Sequence, residues 1–317
     1  MNVLIIGGTR HLGAATAREL LARGHRVSVF HRGRTEGNLP DEVEHVFGDI
    51  QDRALVESTI ANERFDAVVD TILSAEYLEW LLPVLERHTG QLVHCGSTGV
   101  YAPAGACPVR EEDPTPCPPE LGGFGEKLRQ DEVVVAFHNE TRFKTCSMRI
   151  SNVFGARDVP LDIWGARQPA YFQRVADGKE IWIPNDGRAL LQPVHTEDLA
   201  RGFCAALEND VAAGQIYNLS SVQAVTLTRY AEITRDLLGS SSPFRYVPME
   251  EIIATGKANE SGVRFVCEHM SIDSSKARRE LGYEPRIGVR EGLADSLRWM
   301  IGKGILRATV YECPGQS

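Results

Sequence analysis

Gly7, Gly8, Thr9, Arg10 and Gly13 are the residues of this chain whose types and spacing point most directly to chemistry. The run at 3–6 in front of them is short, apolar and branched, which suits a strand buried on both faces of a parallel sheet. Residues 14–22 are helix-forming, with Ala14, Ala15, Ala17 and Leu21 spaced along one face and Gly24 placed to end the helix. Strand, glycine turn and helix together open a dinucleotide-binding unit. A pyrophosphate has to approach bare backbone N–H groups at a helix N-terminus, where partial positive charge favours an anion. Side chains at Gly7 or Gly13 would block the approach or hold the helix off the strand. His11, Leu12 and the later Ile50 belong to the same expected cofactor wall. The spacing is Gly7, Arg10, Gly13, with an arginine where a middle glycine is usual, and such a pattern alone also fits a helix start in another α/β protein.

The second strand, at 26–30, runs into His31, Arg32, Gly33 and Arg34. A site that prefers NAD usually ends this strand on Asp or Glu, which accepts from the ribose 2′-hydroxyl. No acid lies between Ser28 and Thr35 here. His31, Arg32 and Arg34, with Arg10 nearby, make a guanidinium-rich pocket suited to the 2′-phosphate, favouring NADP(H) over NAD(H). The alternative is a solvated basic loop.

The elements that must position these groups recur at regular intervals. Strands are expected at 43–47, 66–70, 91–95 and 145–150, with helices over 53–62, through Trp80 to Arg87, and over 125–138. Such alternation implies right-handed crossovers and a doubly wound parallel sheet. The loops beginning at Gly7, His31, Asp49, Thr71 and Gly96 then face one crevice at the carboxyl ends of the strands. Residues 101–119, rich in Pro, Gly and acid, read as a long loop over that crevice. Further on, helices at 195–209 and 227–238, a strand at 216–219 and two C-terminal helices are expected. The fold class is α/β. Residues 1–155 form a Rossmann domain to which 192–215 return, and 156–191 with 216–317 form a smaller C-terminal α/β substrate-binding domain.

Composition excludes several classes. The 317 residues are 43% hydrophobic and 24% charged, ordinary for a soluble globular protein, and no apolar run approaches a bilayer span. Met1 opens directly into the first strand, so a cytoplasmic protein without membrane contact is expected. A net charge of −9 opposes a broad nucleic-acid surface, though not a local arginine cluster. Cysteines 95, 107, 117, 146, 204, 267 and 313 occur singly, so free thiols and no structural metal are expected.

The stretches GGTRHLG (7–13), GD (48–49), GSTGVY (96–101), MRISNVFG (148–155), PVHTEDLARG (193–202), YNLSS (217–221) and SSKARRELGYEP (274–285) are weak singly, but their order and spacing are specific. Together they resemble the extended and atypical short-chain dehydrogenase/reductases, the NAD-dependent epimerase/dehydratase family, almost end to end. GGTR and PNDG (184–187) look most like the subgroup containing chloroplast stem-loop RNA-binding proteins and bacterial relatives.

The resemblance implies a Ser or Thr ending the fifth strand, here Ser97, hydrogen-bonded to the reacting oxygen, and a Tyr-x-x-x-Lys helix, here with Lys127 on the nicotinamide ribose. It also implies that Asp49 meets adenine. Lysine in this setting lowers the tyrosine pKa so that the phenol can exchange a proton. Gly123 stands where that tyrosine belongs. Tyr101, Glu126 or Ser97 acting through water are the candidate replacements, no equivalent at all is the fourth option, and Phe124 is a candidate apolar wall in the vacated space. Substrate-pocket candidates are Ser97, Asn152, Phe154, Trp182, Arg188 and Gln192, with Phe154 and Trp182 equally fit for the core. Leu190 and Leu191 replace the diphosphate-pairing arginine common among nucleotide-sugar enzymes, leaving Arg188 or Arg264 as substitutes.

Two functions remain open from sequence. One is an NADP(H)-dependent oxidoreductase or epimerase acting on a secondary alcohol or ketone of a sugar-like, possibly nucleotide-sugar, small molecule. The other is a degenerate member serving as an RNA-binding or scaffold protein. The resemblance also implies a homodimer through helices flanking the active-site helix; Leu128, Val133 and Val135 are candidates for that face, and a helix packing on its own sheet explains them equally.

Overall fold

The computed structural model describes residues 1–34 and 39–311, so Cys313 lies outside the described residues. The first half alternates strand and helix: β1 (Asn2–Ile6), α1 (His11–Ala22), β2 (Arg26–His31), β3 (Glu44–Phe47), α2 (Arg53–Glu63), β4 (Ala67–Asp70), α3 (Ala75–His88), β5 (Gln91–Ser97), α4 (Gly125–Thr141) and β6 (Lys144–Ile150). Side chains alternate across the pleat. Val3 and Ile5 of β1 pack under α1 and the helix spanning 196–208, while Leu4 and Ile6 pack against α2 and α3 on the opposite face. Both faces are covered, which explains the continuous apolar runs. Helix starts are set locally: the Asp52 carboxylate accepts from the Leu55 amide, and the Ser74 hydroxyl from the Tyr77 amide.

The second half contains β7 (Val153–Phe154), α5 (Pro169–Ala176), β8 (Ile181–Pro184), β9 (Leu190–Leu191), β10 (Val194–His195), α6 (Thr196–Glu208), β11 (Gln215–Leu219), β12 (Val225–Thr226), α7 (Leu227–Leu237), β13 (Phe244–Val247), α8 (Met249–Ala254), α9 (Glu260–Val266), α10 (Ser275–Leu281) and α11 (Val289–Gly302). The main sheet runs β3-β2-β1-β4-β5-β6-β11, all parallel, with Ile5 beside Val29, Asp70 beside His94 and Arg149 beside Asn218. Its order reverses between β1 and β4, and this switch point is where a ligand crevice opens. The second lobe is built on the β8–β13 and β9–β12 pairs with α5, α7 and α11, around Phe172, Ile181, Tyr230, Leu293 and Leu297.

Three placements differ from the sequence reading. β11 is the seventh strand of the main sheet, so the return to that sheet extends through Leu219. Ala277 and Leu281 of α10, with Tyr283, pack into the cluster under α6 and β11 rather than the second lobe. Residues 101–119 do not cover the crevice: the Val109 amide donates to Ser271 O (2.7 Å) and Val109 O accepts from the Asp273 amide (2.8 Å), binding this stretch to the second lobe. Among the described residues, no helix is long and apolar enough to cross a membrane.

Candidate functional site

A crevice of about 650 Å³ opens at the carboxyl ends of the strands on both sides of the switch point. It is lined by the Gly7–Gly13 turn, by residues 30–34 and 48–51, by Thr71 and Ile72, and by Cys95, Ile150, Val153, Asp158 and Arg167. Two glycines make the turn possible. Gly7 has φ +90°, and a Cβ on Gly13 would lie 2.5 Å from Gly8 Cα and 2.8 Å from Gly7 O. Arg10 explains the missing middle glycine: its φ of −128° is extended backbone open to any residue, and the left-handed conformation falls on His11 instead, at φ +40°. The first turn of α1 has no side-chain cap and no acidic residue, so its N–H groups have no anion from their own helix.

At the β2 end, Arg32 and Arg34 line the crevice, and Arg32 Nη1 stands 4.0 Å from Asp49 Oδ2 with both side chains about half exposed. An exposed pair at that separation is weak and leaves the guanidinium available. His31 is different. The Gly33 amide donates to its Nδ1 (3.2 Å), which places the proton on Nε2, facing His45 Nδ1 at 2.8 Å. Burial and the neighbouring His45 push its pKa down. His31 therefore lines the crevice as a neutral imidazole, and the positive charge at the β2 end comes from the guanidinium groups.

Lys127 and Ser97 are not among the residues lining the crevice; Lys127 reaches it through Cys95, to whose O its Nζ donates (3.1 Å), and it also donates to Gln130 Oε1 (2.9 Å), which holds the ammonium at the end of β5. Ser97 Oγ accepts from the Gly99 amide (3.1 Å), and its own O–H stays free to donate. Nothing lies within 4 Å of a Cβ built on Gly123, the position at which the sequence reading expects a tyrosine. Phe124 instead lays its ring against Gly99 and 5.1 Å from the Phe265 ring, forming an apolar wall beside Ser97.

The two other proton-donor candidates are occupied elsewhere. Tyr101 is 0% exposed; its hydroxyl donates to Asn218 Oδ1 (2.9 Å) and accepts from Arg149 Nη1 (2.6 Å). Burial pushes that hydroxyl up to about 12. Glu126 accepts from the Ala75 amide at the start of α3 (2.8 Å) and from Gln130 (3.3 Å), and these bonds, the first above all, hold its carboxyl below the usual range. Tyr101 is thus a core group and Glu126 a helix-capping one. A buried set surrounds Tyr101: Arg149 Nε pairs with Asp131 Oδ2 at 2.7 Å, and Asp131 also receives Ser147 Oγ. Arg149 and Asn218 were visible only as letters within MRISN and YNLSS.

The expected substrate residues do not converge. Phe154 is core, packed on the His195 ring and against Gly292 of α11. Gln192 is buried, donating to Ser221 O (2.8 Å) and accepting from the Ile272 amide (2.7 Å). Trp182 donates to Glu180 and carries Arg245 over its ring on β8, Arg188 is exposed beside Asp186, and Arg264 pairs with Glu260. Asn152 is half-buried between β6 and β7, and its carbonyl accepts from the Val194 amide. None of these lines the crevice. Leu128 is partly buried against the second lobe and Val133 against the core beneath α4.

The model of the NAD dependent epimerase/dehydratase family matches residues 3–220. The chain belongs to the NAD-dependent epimerase/dehydratase family. It is 30% identical over 324 residues to the chloroplast stem-loop binding protein of 41 kDa b from Arabidopsis thaliana, covering 96% of this chain and 81% of that one. It is 24% identical to UDP-glucose 4-epimerase from Bacillus subtilis, covering 94% and 96%. Among solved structures, dTDP-glucose 4,6-dehydratase from Bacillus anthracis, in complex with NAD, superposes with a TM-score of 0.76 at 20% identity, covering 96% and 99%. In this epimerase/dehydratase family member the parallel sheet, glycine turn and switch-point crevice are all present.

Proposed function

We propose that this family member binds a nicotinamide dinucleotide in its switch-point crevice, NADP(H) in preference to NAD(H), and acts as an oxidoreductase or epimerase on a secondary alcohol or ketone of a sugar-like substrate. The observation that carries the reading is the crevice itself: a glycine turn that a Cβ would fill at one side, and Arg32 and Arg34 with no acid at the end of β2. The turn and the first N–H groups of α1 would hold the pyrophosphate, Arg32 the 2′-phosphate, Asp49 and Ile50 the adenine, and Lys127 the nicotinamide ribose. A bound nicotinamide supplies hydride exchange. The chain's own part is to fix the ribose through Lys127 and to hydrogen-bond the reacting oxygen through the Ser97 O–H, with water as the proton carrier in place of a phenol. Nucleotide-sugar enzymes among the relatives support the substrate class.

The vacated tyrosine position and the Phe124 wall favour a second reading, in which the dinucleotide site persists without turnover and the protein serves as a scaffold or binds RNA, in keeping with the stem-loop binding relative. Nicotinamide absorbance during incubation with NADP⁺ or NADPH and a panel of nucleotide sugars and ketoses, with product analysis for epimers, separates the two. Turnover abolished by Lys127→Ala supports the enzyme. Turnover that survives Lys127→Ala refutes this placement of the site, and RNA affinity that falls steeply with salt supports the second reading.

A further inference from the structure

The crevice is lined by four arginines, Arg10, Arg32, Arg34 and Arg167, against two carboxylates, Asp49 and Asp158, in a chain of net charge −9. Arg167 comes from the other half of the molecule, on the segment between β7 and α5. Its Nη1 donates to Asp158 Oδ2 (2.7 Å) and Val159 O (2.9 Å), and its Nη2 to Val153 O (3.0 Å). The same Asp158 Oδ2 lies 3.3 Å from His11 Nε2, at the first residue of α1. His11 Nδ1 is buried without a hydrogen-bond partner among the described residues.

One carboxylate oxygen therefore bridges a guanidinium and an imidazole at the mouth of an uncapped helix. We infer that Arg167 and His11 form the side-chain half of a diphosphate-binding site whose backbone half is the first turn of α1, and that Asp158 occupies this site until a diphosphate displaces its carboxylate. The inference rests on the dinucleotide reading above and adds to it a phosphate-gripping residue and an internal competitor. Two features make the exchange favourable. A guanidinium matches phosphate oxygens at least as well as a carboxylate, and a diphosphate brings more charge than Asp158. The two carbonyl acceptors, Val153 O and Val159 O, keep the Arg167 fork in place once Asp158 leaves, so little ordering is lost on binding.

The two partners should respond with opposite signs. Calorimetric titration of NADP⁺, ADP and adenosine 2′-monophosphate into the wild type, Arg167→Ala and Asp158→Asn tests this. Arg167→Ala should weaken NADP⁺ and ADP by roughly ten- to hundredfold and leave adenosine 2′-monophosphate, which has no diphosphate, unchanged. Asp158→Asn should tighten NADP⁺ and ADP several-fold. Equal losses for all three ligands in Arg167→Ala would make it a purely structural residue and overturn the inference, as would unchanged affinities. Weaker diphosphate binding by Asp158→Asn would overturn the displacement. If the wild type binds none of the three, the dinucleotide reading fails and this inference falls with it, whereas wild-type binding with an indifferent Arg167→Ala refutes the inference alone.

Discussion

Replacing Tyr101 by Phe separates a structural phenol from a catalytic one. The substitution keeps the ring, over which the Arg149 guanidinium carbon lies at 4.9 Å, and removes only the hydroxyl. That hydroxyl is the partner of Arg149 Nη1 at 2.6 Å and of Asn218 Oδ1 at 2.9 Å, with all three residues buried. Its loss leaves one charged donor and one amide acceptor short of a partner. A buried donor or acceptor left unmade costs about 1–3 kcal/mol, so the expected destabilisation is roughly 2–4 kcal/mol. The Arg149–Asp131 pair survives, which keeps the loss below the ~3–5 kcal/mol expected when a buried ion pair is broken outright. Urea unfolding followed by tryptophan fluorescence should show a lowered midpoint with an unchanged slope, while NADPH affinity stays within about twofold of wild type. An unchanged midpoint combined with lost turnover or lost cofactor affinity would refute the reasoning and return Tyr101 to the crevice.

Three other perturbations have defined outcomes. Gly13→Ala would ordinarily stabilise a helix by up to about 1 kcal/mol, but here the new methyl meets the backbone of Gly7 and Gly8, so thermal unfolding should show a loss of roughly 1–3 kcal/mol and NADPH titration a loss exceeding tenfold. Asp162, buried under the loop that carries Arg167, has a carboxyl that burial pushes up to about 7. Its folded pKa is above the unfolded value, so its contribution to stability is complete below about pH 4 and is lost as pH rises through 7, by at most ~4 kcal/mol. Asp162→Asn, which keeps an acceptor for the Trp164 and Ala166 amides, should flatten that slope in denaturation curves taken from pH 4 to 8. Arg32→Ala should weaken NADPH at least tenfold and NADH little in paired titrations; equal losses would contradict the 2′-phosphate assignment.

The parts of this protein legible in its sequence are those governed by local rules. Branched apolar runs at β1 and β4 identify buried parallel strands because both faces are covered, and the glycine turn announces the crevice because backbone approach demands it. The parts not legible depend on partners distant in sequence. Tyr101 looks available on a loop, and only the arrival of Arg149 from β6 and Asn218 from β11 takes its hydroxyl. Glu126 beside Lys127 looks catalytic until the start of α3 delivers the Ala75 amide to it. The protonation of His31 is not readable from sequence, because it depends on the Gly33 amide and on His45, which arrives from β3. Arg167 lies 154 positions after Gly13, so nothing local connects the two sides of one crevice. The position of residues 101–119 is hidden for the same reason: Pro and Gly content marks irregular backbone but not the segment it pairs with, here residues 271–273.

The claim on which everything else depends is that the crevice holds a nicotinamide dinucleotide with a preference set at the end of β2. An equilibrium titration of the purified, cofactor-stripped protein with NADPH and with NADH, read by nicotinamide fluorescence, tests it directly. The account predicts saturable binding of both with NADPH at least tenfold tighter. Equal affinities would contradict the role of Arg32, and binding of neither would contradict the dinucleotide site itself.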